Sequence, residues 1–519
     1  MFSKISLSGL GVRGSGLAWF AMLVGTANLA NAATCEELSN LSLPHTAITI
    51  AQTVAPGAFV APVQARGRGA NPYENLPAFC RVAATLTPST DSDIKVEVWL
   101  PLAAVVGDPN RPGWWNGKLQ AVGNGGWAGS ISYGAMANAL RAGYAAVSTD
   151  TGHTTPGGSF ALGHPEKLVD YAYRSEHEMT VTAKAIMKAF FGEAPSRAYF
   201  NGCSTGGRQA LVEATKYPDD FDGIIAGAAA NPKTGLDAWR LWAAHLELKN
   251  DEGRIPPEKF AMIHQAVLAQ CDTLDGVKDG LIENPSQCHF DPAPIICKAG
   301  GTTDCLTPRQ AAVSRALMGP AKTAAGKEVF PGYAPGTELG WGFLLGSDEP
   351  YSNPLEDYRY IVFRNPNWDW KTFDLDRDLA TSEKVGAGLL TAVSPDLSAF
   401  TAHGGKLLMY HGWSDQQIPP GASVNFYTHV TPKSARESVR LFMVPGMGHC
   451  GGGEGPNTFD MVAPLDRWVD RNEAPAGILA SHLTAGKVDR TRPLCPYPQV
   501  ARYKGAGDIN NAENFVCAK

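Results

Sequence analysis

FNGCSTGGRQA, residues Phe200 to Ala210, runs from a short apolar stretch into a helix-like one and turns on Gly202-Cys203-Ser204-Thr205-Gly206. A Gly-x-Ser-x-Gly pattern between a strand and a helix puts the serine on a sharp turn with its hydroxyl exposed, and the glycines tolerate the crowded backbone. The helix that follows brings its dipole and unpaired N–H groups to the same place, where negative charge develops in acyl transfer. Ser204 is therefore the candidate nucleophile. The cysteine directly before it, Cys203, has to be explained by the rest of the chain.

Outward from that turn the chain alternates strand-like and helix-like patterns. IKVEVWLP has period two, while KLQAVGNGG, YAAVSTD, RAYFNG and FDGIIAG are short apolar runs ending in Gly or polar residues. SEHEMTVTAKAIMKAFFG, between two of them, has helical spacing. Strands alternating with helices predict a mainly parallel α/β sheet. The rhythm returns near Leu397, with KLLMYHG and SVRLFMVPG as strands, a helix around Ala422 to His429, and a helical repeat in FDMVAPLDRWVDR. Between the two stretches the sequence is dense in Gly, Pro, Asp and aromatics, including Trp239, Trp242, Trp341, Trp368 and Trp370. The division predicted is an export signal over 1–32, a first sheet segment over 33–231, an inserted lid over 232–395 and a second sheet segment over 396–519.

The beginning of the chain has the form of a processing signal. Lys4 and Arg13 precede the apolar run Leu17 to Val24, and Ala30-Asn31-Ala32 offers a cleavage site. The run is shorter than the roughly 20 residues needed to span a bilayer. The expectation is an exported protein of bacterial type, periplasmic or secreted, with no membrane attachment after cleavage. At 18% charged residues and a net charge of −6, the chain has no Lys/Arg run that would recruit nucleic acid. Ten cysteines remain after cleavage, and an even number in an oxidising compartment predicts disulfides. Sequence proximity offers Cys271 with Cys288, Cys297 with Cys305 and Cys495 with Cys517. Zinc is the competing use of cysteine, and no C-x-x-C or His-rich spacing supports it.

In an α/β-hydrolase the acid and the base follow the serine in that order, on loops after later strands. KLLMYHG leads into Trp413-Ser414-Asp415, and VRLFMVPG leads into Met447-Gly448-His449-Cys450. The predicted set is Ser204 as nucleophile, His449 as base and Asp415 as its orienting acid. Asp150, His153 and His411 also lie near strand ends and are the rival candidates; His411 is expected to pack or hydrogen-bond beneath the site. The neighbouring cysteines now make sense. With Ser204 and His449 within hydrogen-bond reach, Cys203 and Cys450 come close enough to bond. That makes Cys203 a staple between the nucleophile and base loops.

Cys-Ser, the Asp loop HGWSDQQIPP and His-Cys together resemble the tannase and feruloyl esterase family of α/β-hydrolases, whose members include a mono(2-hydroxyethyl) terephthalate hydrolase. The resemblance covers almost all of the chain after the signal, lid included. It implies the pairs Cys35–Cys80, Cys203–Cys450, Cys271–Cys288, Cys297–Cys305 and Cys495–Cys517. It also implies an ester hydrolase acting on esters of aromatic acids: galloyl, feruloyl or terephthalate monoesters, free or on a plant polymer. Two other readings are an acetyl or short-chain esterase on plant polysaccharide and an inactive hydrolase fold that binds carbohydrate or protein.

The oxyanion hole is expected to use the N–H of Thr205, which follows the nucleophile, and one from Gly123-Asn124-Gly125-Gly126-Trp127, Gly126 being favoured over Trp127 and Gly125. CDTLDGVKDGLIENP is a candidate cation loop with Asp272, Asp275 and Asp279 as carboxylates and Val277 and Leu281 as carbonyl donors. The residues alone suit calcium and plain Asp-Gly turns equally; the resemblance implies a structural Ca2+ in the lid. An aromatic-rich lid suits a planar acyl group, although Trp and Tyr in a lid commonly form its own core. Arg359 and Arg364 are candidates to meet a substrate oxygen or to form surface ion pairs.

Overall fold

The structure is a computed structural model that describes residues 32–62, 72–102, 114–249, 251–298, 304–386, 389–390 and 394–519. The export signal expected over 1–32 lies outside these residues except for Ala32.

Nine strands form the main sheet: β1 (Thr46–Val54), β2 (Phe79–Leu86), β3 (Ile94–Pro101), β4 (Lys118–Val122), β5 (Ala145–Thr149), β6 (Arg197–Cys203), β7 (Gly223–Gly227), β8 (Lys406–Gly412) and β9 (Val439–Val444). Their spatial order is β1-β2-β3-β5-β4-β6-β7-β8-β9. β1, β2, β3 and β5 pair antiparallel, and β5, β4, β6, β7, β8 and β9 run parallel. Successive residues of the parallel strands enter opposite cores. Phe200, Leu407, Met409 and Leu441 go to one side with Met179 and Ile186 of α1 (Ser175–Phe191). Tyr199, Leu408, Phe442 and Val444 go to the other, with Leu465 and Trp468 of the helix Val462–Arg471. Both faces are covered, which is why these strands read as unbroken apolar runs. In β3 the period-two expectation describes one face only. Ile94, Val96, Val98 and Leu100 enter the first core, while Trp99 is buried in the second.

The chain goes from β4 outward to β5, then returns past β4 to β6. Adjacent parallel strands whose connections leave in opposite directions open a crevice at their carboxyl ends. The loop after β4 is Gly123 to Trp127, and the turn after β6 is Ser204. The helix α2 (Thr205–Lys216) starts there, and the helix predicted around Ala422 is Gly421–His429.

Between β7 and β8 no described residue joins the main sheet. This insertion opens with α3 (Lys233–Leu248) and has its own apolar centres. Trp239, Tyr333 and Trp341 lie in one, and Tyr358, Trp368, Trp370 and Phe373 in another. The lid tryptophans singled out in the sequence are thus packing residues, apart from Trp242, which is half-buried against both centres. A third cluster joins Ile361 and Leu390 of the insertion to Trp127 and Tyr171 of the sheet domain. The lid therefore rests directly on the loop after β4. All five expected disulfides form: Cys35–Cys80, Cys203–Cys450, Cys271–Cys288, Cys297–Cys305 and Cys495–Cys517.

Candidate active site

The nucleophile turn is tight enough to impose its own sequence. Ser204 has φ 65° and ψ −121°, a left-handed conformation that a non-glycine residue keeps only where the surroundings enforce it. A Cβ on Gly202 would lie 2.5 Å from the Gly206 carbonyl oxygen, and one on Gly207 would lie 2.2 Å from that of Gly227. No side chain fits at either point, so α2 packs against β6 and β7 only because glycine stands there. The Gly206 N–H donates to the Asn124 carbonyl at 2.7 Å and locks the turn to the loop after β4.

That loop is held from three sides. The Thr205 hydroxyl donates to the Gly126 carbonyl at 2.6 Å, and the Tyr171 hydroxyl reaches the same oxygen at 3.3 Å. The Asn124 side chain donates to the Ser130 and Thr149 carbonyls at 3.0 and 2.9 Å, and Gln209 Nε2 donates to Asn124 Oδ1 at 3.0 Å. Glu176, fully buried, accepts from Ser175 Oγ at 2.9 Å and from Gln209. Burial pushes its carboxyl up to about 7, against the pull of Arg208. Gly126, Ser204 and Thr205 line one pocket, so the two expected oxyanion-hole residues flank the nucleophile.

Asp415 follows β8 and is completely buried. Its Oδ1 accepts the Gln417 and Ile418 N–H groups at 2.7 and 2.9 Å, and its Oδ2 faces His449 Nδ1 at 2.7 Å. His411 Nε2 approaches the same Oδ2 at 3.1 Å and the Ile418 carbonyl at 3.0 Å, with the Ser423 hydroxyl 2.8 Å from its Nδ1. One tautomer satisfies all of this: Nε2–H donates and Nδ1 accepts from Ser423. Burial works against ionising Asp415, but the two histidines and their hydrogen bonds outweigh it and hold the carboxyl well below its usual range. His411 thus lies beneath the site, as expected, and bears on the acid.

The His449 N–H donates to Gln416 Oε1 at 3.2 Å. The Cys203–Cys450 bridge has a Cα separation of 6.0 Å and spans 247 positions of sequence. It joins the residue before Ser204 to the residue after His449 and so holds the two loops together. The remaining rivals lie elsewhere. The Asp150 carboxylate accepts the Lys95 and Gly152 N–H groups, and burial raises its pKa to about 7. His153 stacks on Phe160 at 3.7 Å, with its Nε2 2.7 Å from the Trp127 carbonyl, and burial lowers its pKa. It braces the loop after β4.

The chain matches the family model for tannase and feruloyl esterase over residues 80–518. The chain belongs to the tannase and feruloyl esterase family. It is 34% identical to an uncharacterised esterase of Xanthomonas campestris, over 99% of this chain and 96% of that one. A probable feruloyl esterase B-1 of Aspergillus flavus is 34% identical over 84% of this chain and 86% of its own length. The crystal structure of feruloyl esterase B from Aspergillus oryzae superposes with a TM-score of 0.85 at 30% identity, covering 93% of this chain and 99% of that one. Its fold is that of the α/β-hydrolases, and the chain is a carboxylic ester hydrolase of the tannase type.

The loop from Asp272 to Leu281 is compact but turned inward. Asp272 accepts the Asp279 and Gly280 N–H groups at 3.1 Å each, Asp275 accepts that of Val277 at 2.9 Å, and Asp279 accepts that of Leu281 at 3.2 Å. Asp279 also pairs with Arg492. Burial, with the charges of Asp279 and Asp272, pushes Asp275 up to about 6. Among the described residues no group of three acidic, His or Cys side chains is gathered round one cation position. Arg359 donates to the Trp368 carbonyl at 3.3 Å, and neither it nor Arg364 lines the Ser204 pocket. That pocket holds residues the sequence did not mark: Lys233, Asp237 and Arg240 of α3, with Tyr351. Their only sequence signal is a Lys-x-x-x-Asp-x-x-Arg spacing, which places them on one helical face.

Proposed function

We propose that the chain is an exported serine esterase that cleaves esters of aromatic acids through an acyl-enzyme on Ser204. The observation that carries this reading is the Asp415–His449 pair, held to the strained Ser204 turn by the Cys203–Cys450 bridge. In the first half-reaction His449 takes the Ser204 proton as the Oγ–carbon bond forms. The carbonyl oxygen takes up negative charge against the N–H groups of Thr205 and Gly126. Collapse breaks the carbon–alkoxy bond, and the alcohol leaves with the proton from His449. Water then repeats the sequence in reverse and releases the acid. Asp415 stays ionised and orients the imidazole throughout.

Export is supported by the amino-terminal pattern and by five disulfides, which persist in oxidising compartments. The substrate class is supported by the family and by Trp127, Tyr171 and Tyr351 around the Ser204 pocket. A structural calcium ion belongs to the same reading. Asp272, Asp275, Asp279 and the Val277 and Leu281 carbonyls are hard oxygen donors that fit it in kind. When bound, the ion supplies cross-linking of the lid loop and no chemistry.

The test is a panel of methyl gallate, methyl ferulate, mono(2-hydroxyethyl) terephthalate and an acetyl ester, with Ser204→Ala as control. Turnover of an aromatic ester that vanishes in the variant is the expected result. Turnover of the acetyl ester alone removes the aromatic assignment. The serine mechanism is overturned by turnover that survives Ser204→Ala, or by none at all from folded, calcium-loaded protein.

A further inference from the structure

The two N–H groups that Asp415 Oδ1 accepts belong to Gln417 and Ile418. Each shares a rigid peptide plane with the carbonyl of the residue before it, Gln416 or Gln417. Both carbonyls are taken, and both donors come from the lid. Tyr333 Oη donates to the Gln416 carbonyl at 2.7 Å, and Arg240 Nη2 donates to the Gln417 carbonyl at 3.0 Å. In a trans peptide the C=O and the N–H point in opposite directions, so a bond to the oxygen aims the hydrogen. The lid therefore holds one end of each peptide while Asp415 holds the other.

The two anchors are themselves fixed. Tyr333 is buried in the lid's apolar centre, edge-on to Trp239 at 5.0 Å and stacked with Trp341 at 5.9 Å. Burial holds its phenol well above the ordinary value, against the pull of Arg240, so the hydroxyl stays a donor. Arg240 Nη1 donates to Asp237 Oδ1 at 3.1 Å, and Asp237 also pairs with Lys233. A third contact reaches the base. Gln416 Oε1 accepts the His449 N–H at 3.2 Å, and a Cβ on Gly340 would lie 2.5 Å from the Gln416 Cβ. The lid turn Glu338–Phe343 thus passes against Gln416 with no room for a side chain at Gly340.

We propose that Tyr333 and Arg240 are positioning residues of the reaction: from the lid, they orient the two peptides that hold Asp415 against His449. The effect on rate rests on the serine-esterase reading above, whereas the peptide geometry stands without it. A peptide that accepts at its oxygen donates more strongly at its nitrogen. A carboxylate that accepts such N–H groups keeps its charge, and that charge orients the imidazole. Arg240 also lines the Ser204 pocket, but Tyr333 stands outside it, so the Tyr333 hydroxyl is the cleaner probe.

The experiment is Tyr333→Phe, which keeps the packed ring and removes only the donor, assayed on whichever ester is active. The expected result is a kcat lower by roughly three- to tenfold, the worth of one net hydrogen bond, with KM within about twofold. In an Asp415→Asn background the same substitution should change kcat by less than about twofold, because the group it acts through is gone. Amide exchange should quicken at Gln417 in Tyr333→Phe. It should quicken at Ile418 in Arg240→Lys, which keeps the charge and gives up the fork that spans Asp237 and the Gln417 carbonyl. Unchanged kcat, a change confined to KM, or an equal loss in both backgrounds makes Tyr333 a packing residue and overturns the proposal. If Tyr333→Phe does not fold, Gly340→Ala drives the lid against Gln416 instead. A lower kcat with faster exchange at Gln417 then supports the proposal, and no change in either overturns it. If no ester is turned over, the serine-esterase reading falls and exchange still decides: equal protection of Gln417 in wild type and Tyr333→Phe overturns the lid's hold on the acid loop.

Discussion

The Asp415 loop and the pocket beside Ser204 are built on opposite terms. On the base side every oxygen of Asp415 is answered, by two main-chain N–H groups and two histidines, inside a completely buried loop. In the pocket beside Ser204, Arg240, Arg208 and Trp127 each keep a buried donor without a partner. In the proposed serine mechanism the Asp415 loop serves every substrate alike, and its hydrogen bonds belong to the folded protein. The pocket beside Ser204 leaves part of its hydrogen bonding unmet in the folded protein. Preorganised charge needs no rearrangement during reaction, while a buried donor left unpaired costs stability.

The largest effect that tests this contrast is Asp415→Asn. It keeps the shape, removes the charge and favours the wrong imidazole tautomer. Turnover should fall by about ten-thousandfold, measured as kcat on whichever ester is active. A loss of less than tenfold would mean that the base side is not prefilled in the way its geometry implies.

Next comes Glu176, behind Arg208. Its folded carboxyl titrates near 7 against 4.5 for the free group. The raised value means that the stabilisation is complete below about pH 4.5 and is lost as pH rises through 7, by at most about 3 kcal/mol. Glu176→Gln mimics the protonated form, so its unfolding midpoint should change little between pH 5 and pH 8 and exceed that of wild type at pH 8. An unchanged wild-type slope would show that Glu176 is not the titrating group.

Opening the Cys203–Cys450 staple, with both residues changed to Ala, separates the base loop from the nucleophile. A displacement of about 1 Å costs about a hundredfold in rate, seen in kcat with folding checked by circular dichroism. The smallest expected effect concerns the lid loop. Chelation should lower the thermal midpoint and added Ca2+ should restore it, an effect on the order of 2 kcal/mol at saturating ion. No recovery with calcium would leave Asp272, Asp275 and Asp279 to their main-chain bonds and Arg492.

The strands were legible because both faces of the parallel sheet are buried, so β6, β8 and β9 are continuous apolar runs. The helices Ser175–Phe191 and Gly421–His429 stand where their spacing put them. The triad candidates were legible because each sits at the end of such a run, and a strand end is a local event. The pocket wall was not. Lys233, Asp237 and Arg240 look like an ordinary charged helix face, and only the packing of α3 against the loop after β4 turns that face inward. The lid tryptophans form the lid's own core, as lid aromatics commonly do, while the rings around the pocket are Trp127, Tyr171 and Tyr351.

By itself the sequence determined the alternation of elements, the Gly202 to Gly207 turn and the order serine, acid, base, because periodicity, steric room and chain order are properties of neighbouring residues. Tertiary structure alone decided that both His449 and His411 meet Asp415, that His153 braces the loop after β4 instead, and which charges line the pocket beside Ser204. Those outcomes depend on how separate loops and helices meet, and burial and hydrogen bonding at such meetings are set by the whole fold.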